Sequence, residues 1–225
     1  QKYLADRAEH LASLVEERTA EIREREKELI FRISRAAEFR DPETGAHIQR
    51  MAHYSQVIAL GLDLSIPQQK LILEAAPMHD VGKIGIPDYI LLKPGKLTPE
   101  EFEVMKGHSK IGHELLKNSR SEIMQAGAEV AISHHEKYDG TGYPYGLKGN
   151  KIPLFGRIVA VADVFDALTS ERPYKRAWPL SDACKFLEDG RGKHFDPLCV
   201  EALLAGWEHV LDIRQRFRDE EVPLI

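Results

Sequence analysis

Residues 1–40 contain neither Gly nor Pro, are dense in Glu and Arg, and repeat their apolar positions at helical spacing. Val15, Ile22, Leu29 and Ala36 lie seven apart, while Leu4 and Leu11 share a second seam. Heptad spacing of this kind suggests two parallel helices packed along a stripe. Arg18, Arg25 and Arg32 fall where the second apolar position of each heptad belongs. A single solvated helix laid over the main domain is therefore the alternative reading. In RDPETG the pattern breaks: Asp41 can cap a new helix and Pro42 suits its first turn.

Beyond this break, apolar faces alternate with charged residues over 46–62, 66–80, 98–106, 108–118, 121–136, 154–170, 180–190 and 197–210. Each segment reads as an amphipathic helix. Strand signals are scarce, so the expected class is all-α: a helical bundle over 41–225 preceded by a long, potentially coiled-coil helix over 1–40. Two stretches, DVGKIGIPDYILLKPGKL and KYDGTGYPYGLKGNKIP, are long loops rich in Gly and Pro. Loops of that size inside a helical domain usually carry function.

Composition narrows the function classes. A chain of 225 residues with 43% hydrophobic content can bury a full core, and its net charge of −5 gives no basic surface for a nucleic acid polymer. No apolar run reaches membrane-spanning length. The only cysteines, Cys184 and Cys199, are isolated, which argues against a disulfide framework or thiolate-rich zinc site and fits a reducing cytoplasm. The chain opens on Gln rather than Met, and the expectation is a piece of a longer protein.

The ten histidines have telling neighbours. Glu43 and His47 are four apart and share a helix face. His79 and Asp80 are adjacent, with Lys83 one turn on. His108 follows a Gly at an expected helix start, and His134 and His135 end another helix. Asp163 interrupts the apolar run RIVAVADVFDAL, which is costly unless the carboxylate is paired or bound to a cation. Imidazoles and carboxylates without thiolates describe a site for divalent iron or manganese. His10, His53, His113, His194 and His209 read as structural or surface residues, and Asp166 and Thr169 as local caps or packing.

The stretches RAAEFRDPETGAHIQR, MHDVGKIGIPD, HSKIGHELL, SHHEKYDGTGYP and VADVFDALTSERPYKRAW, in this order, resemble the HD-GYP family of metal-dependent cyclic di-GMP phosphodiesterases, within the HD hydrolase superfamily. The resemblance spans about residues 30 to 210. It implies an HD-domain helical bundle and a metal set of Glu43, His47, His79, Asp80, His108, His134, His135 and Asp163. Asp80 would bridge two cations, and Glu43 would belong to a third where one is held. Lys83 would lie beside the scissile phosphate as a catalytic residue, and Tyr143, Arg172 and Lys175 would contact the dinucleotide. Glu136 is expected to orient an imidazole through its second nitrogen.

The implied activity is hydrolysis of cyclic di-GMP to pGpG, with further cleavage to GMP left open. Two cations about 3.5–4 Å apart would polarise the phosphoryl oxygens and bring a bridging water from a pKa of about 15.7 to near 7. The alternatives are a slow module that binds cyclic di-GMP and reports it, and a phosphodiesterase acting on cyclic GMP-AMP. An upstream sensor or receiver domain and a homodimer through 1–40 are the expected partners.

Overall fold

The structure, a computed structural model, describes residues 2–39, 45–171 and 176–218. Asp41 and Pro42, with their expected capping roles, lie outside the described residues. Among the described residues the fold is all-α, with no strand and no helix long and apolar enough to cross a membrane. In chain order the helices are α1 (Lys2–Glu38), α2 (Gly45–Gly61), α3 (Ile66–Ala75), α4 (Asp88–Leu91), α5 (Pro99–Leu116), α6 (Glu122–Ser133), α7 (Leu154–Thr169), α8 (Leu180–Asp189), α9 (Pro197–Ala205) and α10 (Trp207–Arg216).

The apolar run that forms α7 makes it the central helix. Ile158, Val159, Val161, Ala162 and Phe165 are buried there, and α2 packs alongside with Met51, Tyr54 and Ile58. Tyr54 meets Phe165 edge to face, 5.2 Å between ring centroids. From the other side α8, α9 and α10 close this core with Leu187, Leu203 and Val210. Cys199 is buried in it, and both cysteines are free thiols. A second, smaller cluster joins Ile30 and Ala37 of α1 to Ala75, Met78 and Val81, and to Leu116, Ile123 and Ala128 of α5 and α6.

Helix α1 carries two separate stripes. Ile30, Ser34, Ala37 and Glu38 are buried, at intervals that keep them on one face. The heptad residues Val15, Ile22 and Leu29 form the other stripe and are 60–66% exposed. The arginines that interrupt the heptads pair within the helix: Arg18 and Arg25 with Glu21, and Arg32 with Glu28. Exposed pairs of this kind contribute only about 0.3–0.5 kcal/mol each, so they select the helix without holding it to the domain. The last turns are attached by the buried stripe.

Three expected elements differ. The helix expected over 66–80 ends at Ala75, and 3₁₀ turns follow at Ala76–Met78 and Val81–Gly85. Pro77 has no N–H to continue the α-ladder, and the tighter turns bring both His79 and Asp80 inward. The segments expected as separate helices over 98–106 and 108–118 form one helix, α5, running through Gly107. A capping box fixes its start: Thr98 Oγ1 accepts from the Glu101 amide, and Glu101 Oε2 accepts from the Thr98 amide at 2.8 Å. The cost of one interior Gly, about 1 kcal/mol, is offset by packing on α6 and on the turn at 81–85. The last expected helix divides at Gly206 into α9 and α10.

The turn at Val81–Gly85 lies directly on α5. A Cβ at Gly82 would overlap the His108 carbonyl and the Gly112 amide nitrogen. No side-chain rotation relieves a clash with helix backbone. Gly82→Ala is therefore expected to lower unfolding stability by about 1–3 kcal/mol, read as a reduced urea midpoint at unchanged slope. A wild-type midpoint would show that turn and helix are not in close register.

Candidate metal centre

Five separate elements deliver the site. His47 projects from the first turn of α2, His108 from the middle of α5 and Asp163 from the middle of α7. His134 and His135 follow the last turn of α6, and His79 and Asp80 join the two 3₁₀ turns. Neighbouring ring centroids are 5.8 Å apart for His47–His79, 5.3 Å for His79–His134 and 5.6 Å for His108–His134. The Asp80 carboxylate lies among them. Its Oδ1 is 3.1 Å from His108 Nε2 and 3.5 Å from His134 Nε2, and its Oδ2 is 3.3 Å from His79 Nε2. His47 Nε2 lies 3.7 Å from Asp163 Oδ1. Two donor groups result: Asp80 with His108, His134 and His135, and Glu38 with His47 and His79. Within each group the ligand atoms all lie within 4.8 Å of one another.

The far nitrogens decide what these near ones do. His79 Nδ1 faces the Ala76 carbonyl at 3.2 Å, His108 Nδ1 faces Met105 O at 2.7 Å, and His134 Nδ1 faces Val130 O at 3.1 Å. A carbonyl only accepts, so each Nδ1 carries a proton, and a neutral ring then turns its Nε2 lone pair inward. His79 Nε2, His134 Nε2 and Asp80 Oδ1 are buried without a well-formed hydrogen bond. Lone pairs pointed at lone pairs in a dry pocket repel unless a proton or a cation lies between them. The donor set, its tautomers and its orphaned atoms fit a divalent cation.

Electrostatics agrees. Burial disfavours charge on His79, but the Asp80 carboxylate outweighs it and lifts the imidazole to about 9. Burial likewise opposes ionisation of Asp80, yet Lys83 and His79 hold it well below the usual carboxylate range. Burial pushes His134 down, and pushes His135 further down. The Asp80 charge thus favours a proton on His79, while burial disfavours one on His134 and His135. Metal binding displaces such a proton. Lys83 Nζ contacts Asp80 Oδ2 at 2.8 Å.

The loop after His135 folds back across the cluster. Glu136, expected to orient an imidazole, instead accepts from the backbone amides of Tyr145 (2.8 Å) and Leu147 (2.9 Å). It is buried and fixes the loop; backbone carbonyls do the orienting. Gly142 sits against the backbone of His135–Lys137, where a Cβ would overlap. The loop thus lays Tyr143 on His135, ring centroids 4.7 Å apart, with Lys106 Nζ 5.7 Å from the same ring. Burial, reinforced by the Asp80 charge, raises the Tyr143 phenol above its ordinary value. Glu43, Arg172 and Lys175 lie outside the described residues. His194 stacks on Phe195, and its carbonyl accepts from Tyr138, closing a second loop onto the first.

Sequence reasoning missed three residues. Asp166 does not cap: it is buried, its Oδ2 accepts from His47 Nδ1 at 2.8 Å, and its Oδ1 accepts from Arg50 Nε at 2.6 Å. Burial would raise its pKa, but the bonds from His47 and Arg50 draw it to about 2. His47 and Arg50 are three apart on α2, as Asp163 and Asp166 are on α7. Matched i,i+3 pairs on two apolar helices were the available signal. Glu38, the third, had none, since its helix reads as solvated.

A family model described as "HD domain" matches residues 32–198. The cyclic di-GMP phosphodiesterase response regulator RpfG of Xanthomonas campestris pv. campestris is 55% identical over 186 residues, 83% of this chain and 49% of that protein. The 3'3'-cGAMP-specific phosphodiesterase 2 of Vibrio cholerae is 45% identical over 199 residues, 88% of this chain and 38% of that protein. Among solved structures, a cyclic GMP-AMP-specific phosphodiesterase of V. cholerae (V-cGAP3) aligns with a TM-score of 0.63 at 22% identity, covering 86% of this chain and 53% of that one. The likeness to that structure is one of fold. The chain spans about half or less of the length of these proteins.

Removing Asp166 would leave the buried Arg50 guanidinium without its carboxylate and His47 without its orienting acceptor. Asp166→Ala is expected to cost about 3–5 kcal/mol of unfolding free energy, measurable by urea denaturation of the metal-free protein. A loss below about 1 kcal/mol would mean that this network does not hold α2 to α7.

Proposed function

The chain belongs to the HD domain family, in its HD-GYP branch, and from this premise we propose that its metal centre hydrolyses cyclic di-GMP to pGpG, with GMP as a further product to be tested. The observation that carries the reading is the Asp80 carboxylate, buried at the meeting point of imidazole lone pairs. The names of the similar proteins support the substrate class.

We assign two divalent cations, iron or manganese, to the two donor groups, because imidazole and carboxylate ligands without thiolate suit those metals. Asp163, beside His47, is added to the second set, and Glu43 is the proposed ligand of a third ion. When bound, the cations polarise the phosphoryl oxygens and lower the pKa of water. Asp80 links the two positions and stays ionised beside Lys83. Lys83, against the Asp80 carboxylate, is placed to neutralise charge growing on the phosphoryl group or to hold a proton for the departing oxygen. Tyr143 offers a ring face or hydroxyl to a base, and Arg172 and Lys175 bind the second phosphate, Arg172 through a bidentate pair.

The reaction would be the output of a longer cytoplasmic signalling protein with a sensor or receiver domain ahead of α1. Free cysteines are in keeping with that compartment. Cyclic GMP-AMP is the second reading, favoured by the 45% identity to a protein named for that substrate.

Turnover after anaerobic loading with iron or manganese tests the activity. The wild-type protein should release pGpG from cyclic di-GMP, and Asp80→Ala should lower the rate at least about a thousandfold, the order expected when electrostatic stabilisation is lost. Binding without product would favour a reporting module, and faster cleavage of cyclic GMP-AMP would transfer the assignment to the second reading. Pairing through α1 is a separate expectation. Two of its exposed heptad residues, Ile22 and Leu29, line an apolar groove with Ile33 and Met124, and a second copy of α1 is the proposed occupant. Replacing Val15, Ile22 and Leu29 together by Glu should convert dimers to monomers in sedimentation velocity; unchanged sedimentation would refute it.

A further inference from the structure

Glu38 is the last residue of α1, the helix whose heptad stripe is exposed. Its side chain turns the other way and is 3% exposed. There its carboxylate shares a group with His47 and His79 in which all ligand atoms lie within 4.8 Å of one another. An acidic side chain on a helix dense in charged residues would ordinarily remain in solvent, because burying a carboxylate costs several kcal/mol unless a cation or strong donors meet it. Two imidazoles, those of His47 and His79, are among the groups it meets. One of them, His79, carries its Nδ1 proton toward the Ala76 carbonyl and so turns its lone pair toward the same centre.

The surroundings tie this carboxylate to the helix. Ile30 and Ala37, on the buried face of α1, pack in one cluster with Ala75, Met78 and Val81. Met78 and Val81 flank His79 and Asp80 in the sequence. The last turns of α1 therefore lie on the turn that presents the two central residues, and end with a third acidic group directed at the same place. A rigid helix passes a shift or rotation along its length to its final turn, and here that turn carries a side chain of the centre.

We infer that Glu38 is a carboxylate of the metal centre, associated with the cation held by His47 and His79, and that through it the position of α1 sets metal occupancy. This rests on the metal reading above. It adds a residue to the set expected from the sequence, and it gives the long helix a physical connection to the chemistry.

Titration of the metal-free protein with Mn(II) alone tests this, with free Mn(II) read by electron paramagnetic resonance and bound metal counted by mass spectrometry. Glu38→Gln, which keeps the shape and removes the charge, should lose one equivalent or bind it about 10- to 100-fold more weakly. Ile30→Ala, which loosens α1 and touches no ligand, should weaken the same equivalent in the parent chain and add nothing when combined with Glu38→Gln. Far-UV circular dichroism confirms that each variant remains helical; if Glu38→Gln does not, Glu38→Asp, which retracts the carboxylate by one methylene, must show the same loss. Unchanged stoichiometry and affinity in Glu38→Gln would overturn the inference. Additive effects of the two substitutions would overturn the link to α1. A wild-type chain that binds no Mn(II) would overturn the underlying metal reading as well.

Discussion

The structure is organised around the buried carboxylate of Asp80, which faces three imidazole Nε2 atoms at 3.1–3.5 Å. Left alone, such a group is costly twice over, once for desolvating the charge and again for opposing the lone pairs around it. The surrounding chain holds this arrangement in place. His79, His108 and His134 each have their second nitrogen tied to a backbone carbonyl, and His47 has its own tied to Asp166, so these rings are held in orientation. Lys83 approaches with positive charge and contacts Oδ2 at 2.8 Å. Retaining a frustrated centre so rigidly makes physical sense where a cation completes it.

That requirement explains the local departures from regular structure. Pro77 ends α3 early, and the 3₁₀ turns that follow put consecutive residues, His79 and Asp80, into the same pocket, which an α-helix with 100° between neighbours would not allow. Gly82 lets this turn touch the backbone of α5 at His108, and Gly142 lets the loop with Tyr143 lie on the backbone after His134. In the first place two ligand-bearing segments, and in the second a ligand-bearing segment and the loop with Tyr143, come closer than side chains would permit. Glu136 then holds the loop by its amides. The catalytic reading thus depends on backbone proximity as much as on the ligands themselves.

Much of this was legible in the sequence. Apolar periodicity indicated the helices, and chemical type with order along the chain indicated His47, His79, Asp80, His108, His134, His135 and Asp163, which the structure brings to one place. What escaped was whatever depended on packing between distant segments. Gly107 looked like a helix boundary because local propensity says so, but α5 continues through it on the strength of its tertiary contacts. Glu136 looked like an imidazole partner because it adjoins two histidines; only the return of the loop shows that it faces amides instead. Asp166 and Arg50 found each other 116 residues apart in sequence. Glu38 was hidden by its neighbours, since a glutamate in a run of charged residues carries no sign of being buried.

The two hydrophobic clusters give the centre a further meaning. His47 and Asp163 project from α2 and α7, whose apolar faces build the larger core. His79 and Asp80 lie between Met78 and Val81 of the smaller one, which also anchors α1. α6 contributes to both, and His134 follows its last turn. The ligands therefore lie along the seam where the two packing units meet, and the charged groups at that seam repel until a cation is shared between them. Binding there joins the units and stabilises the folded chain by mass action. The converse holds by the same linkage: whatever shifts the smaller unit against the larger one, including a displacement of α1, must alter the affinity for the cation. In this fold, metal occupancy and the position of the long helix are two readings of one equilibrium.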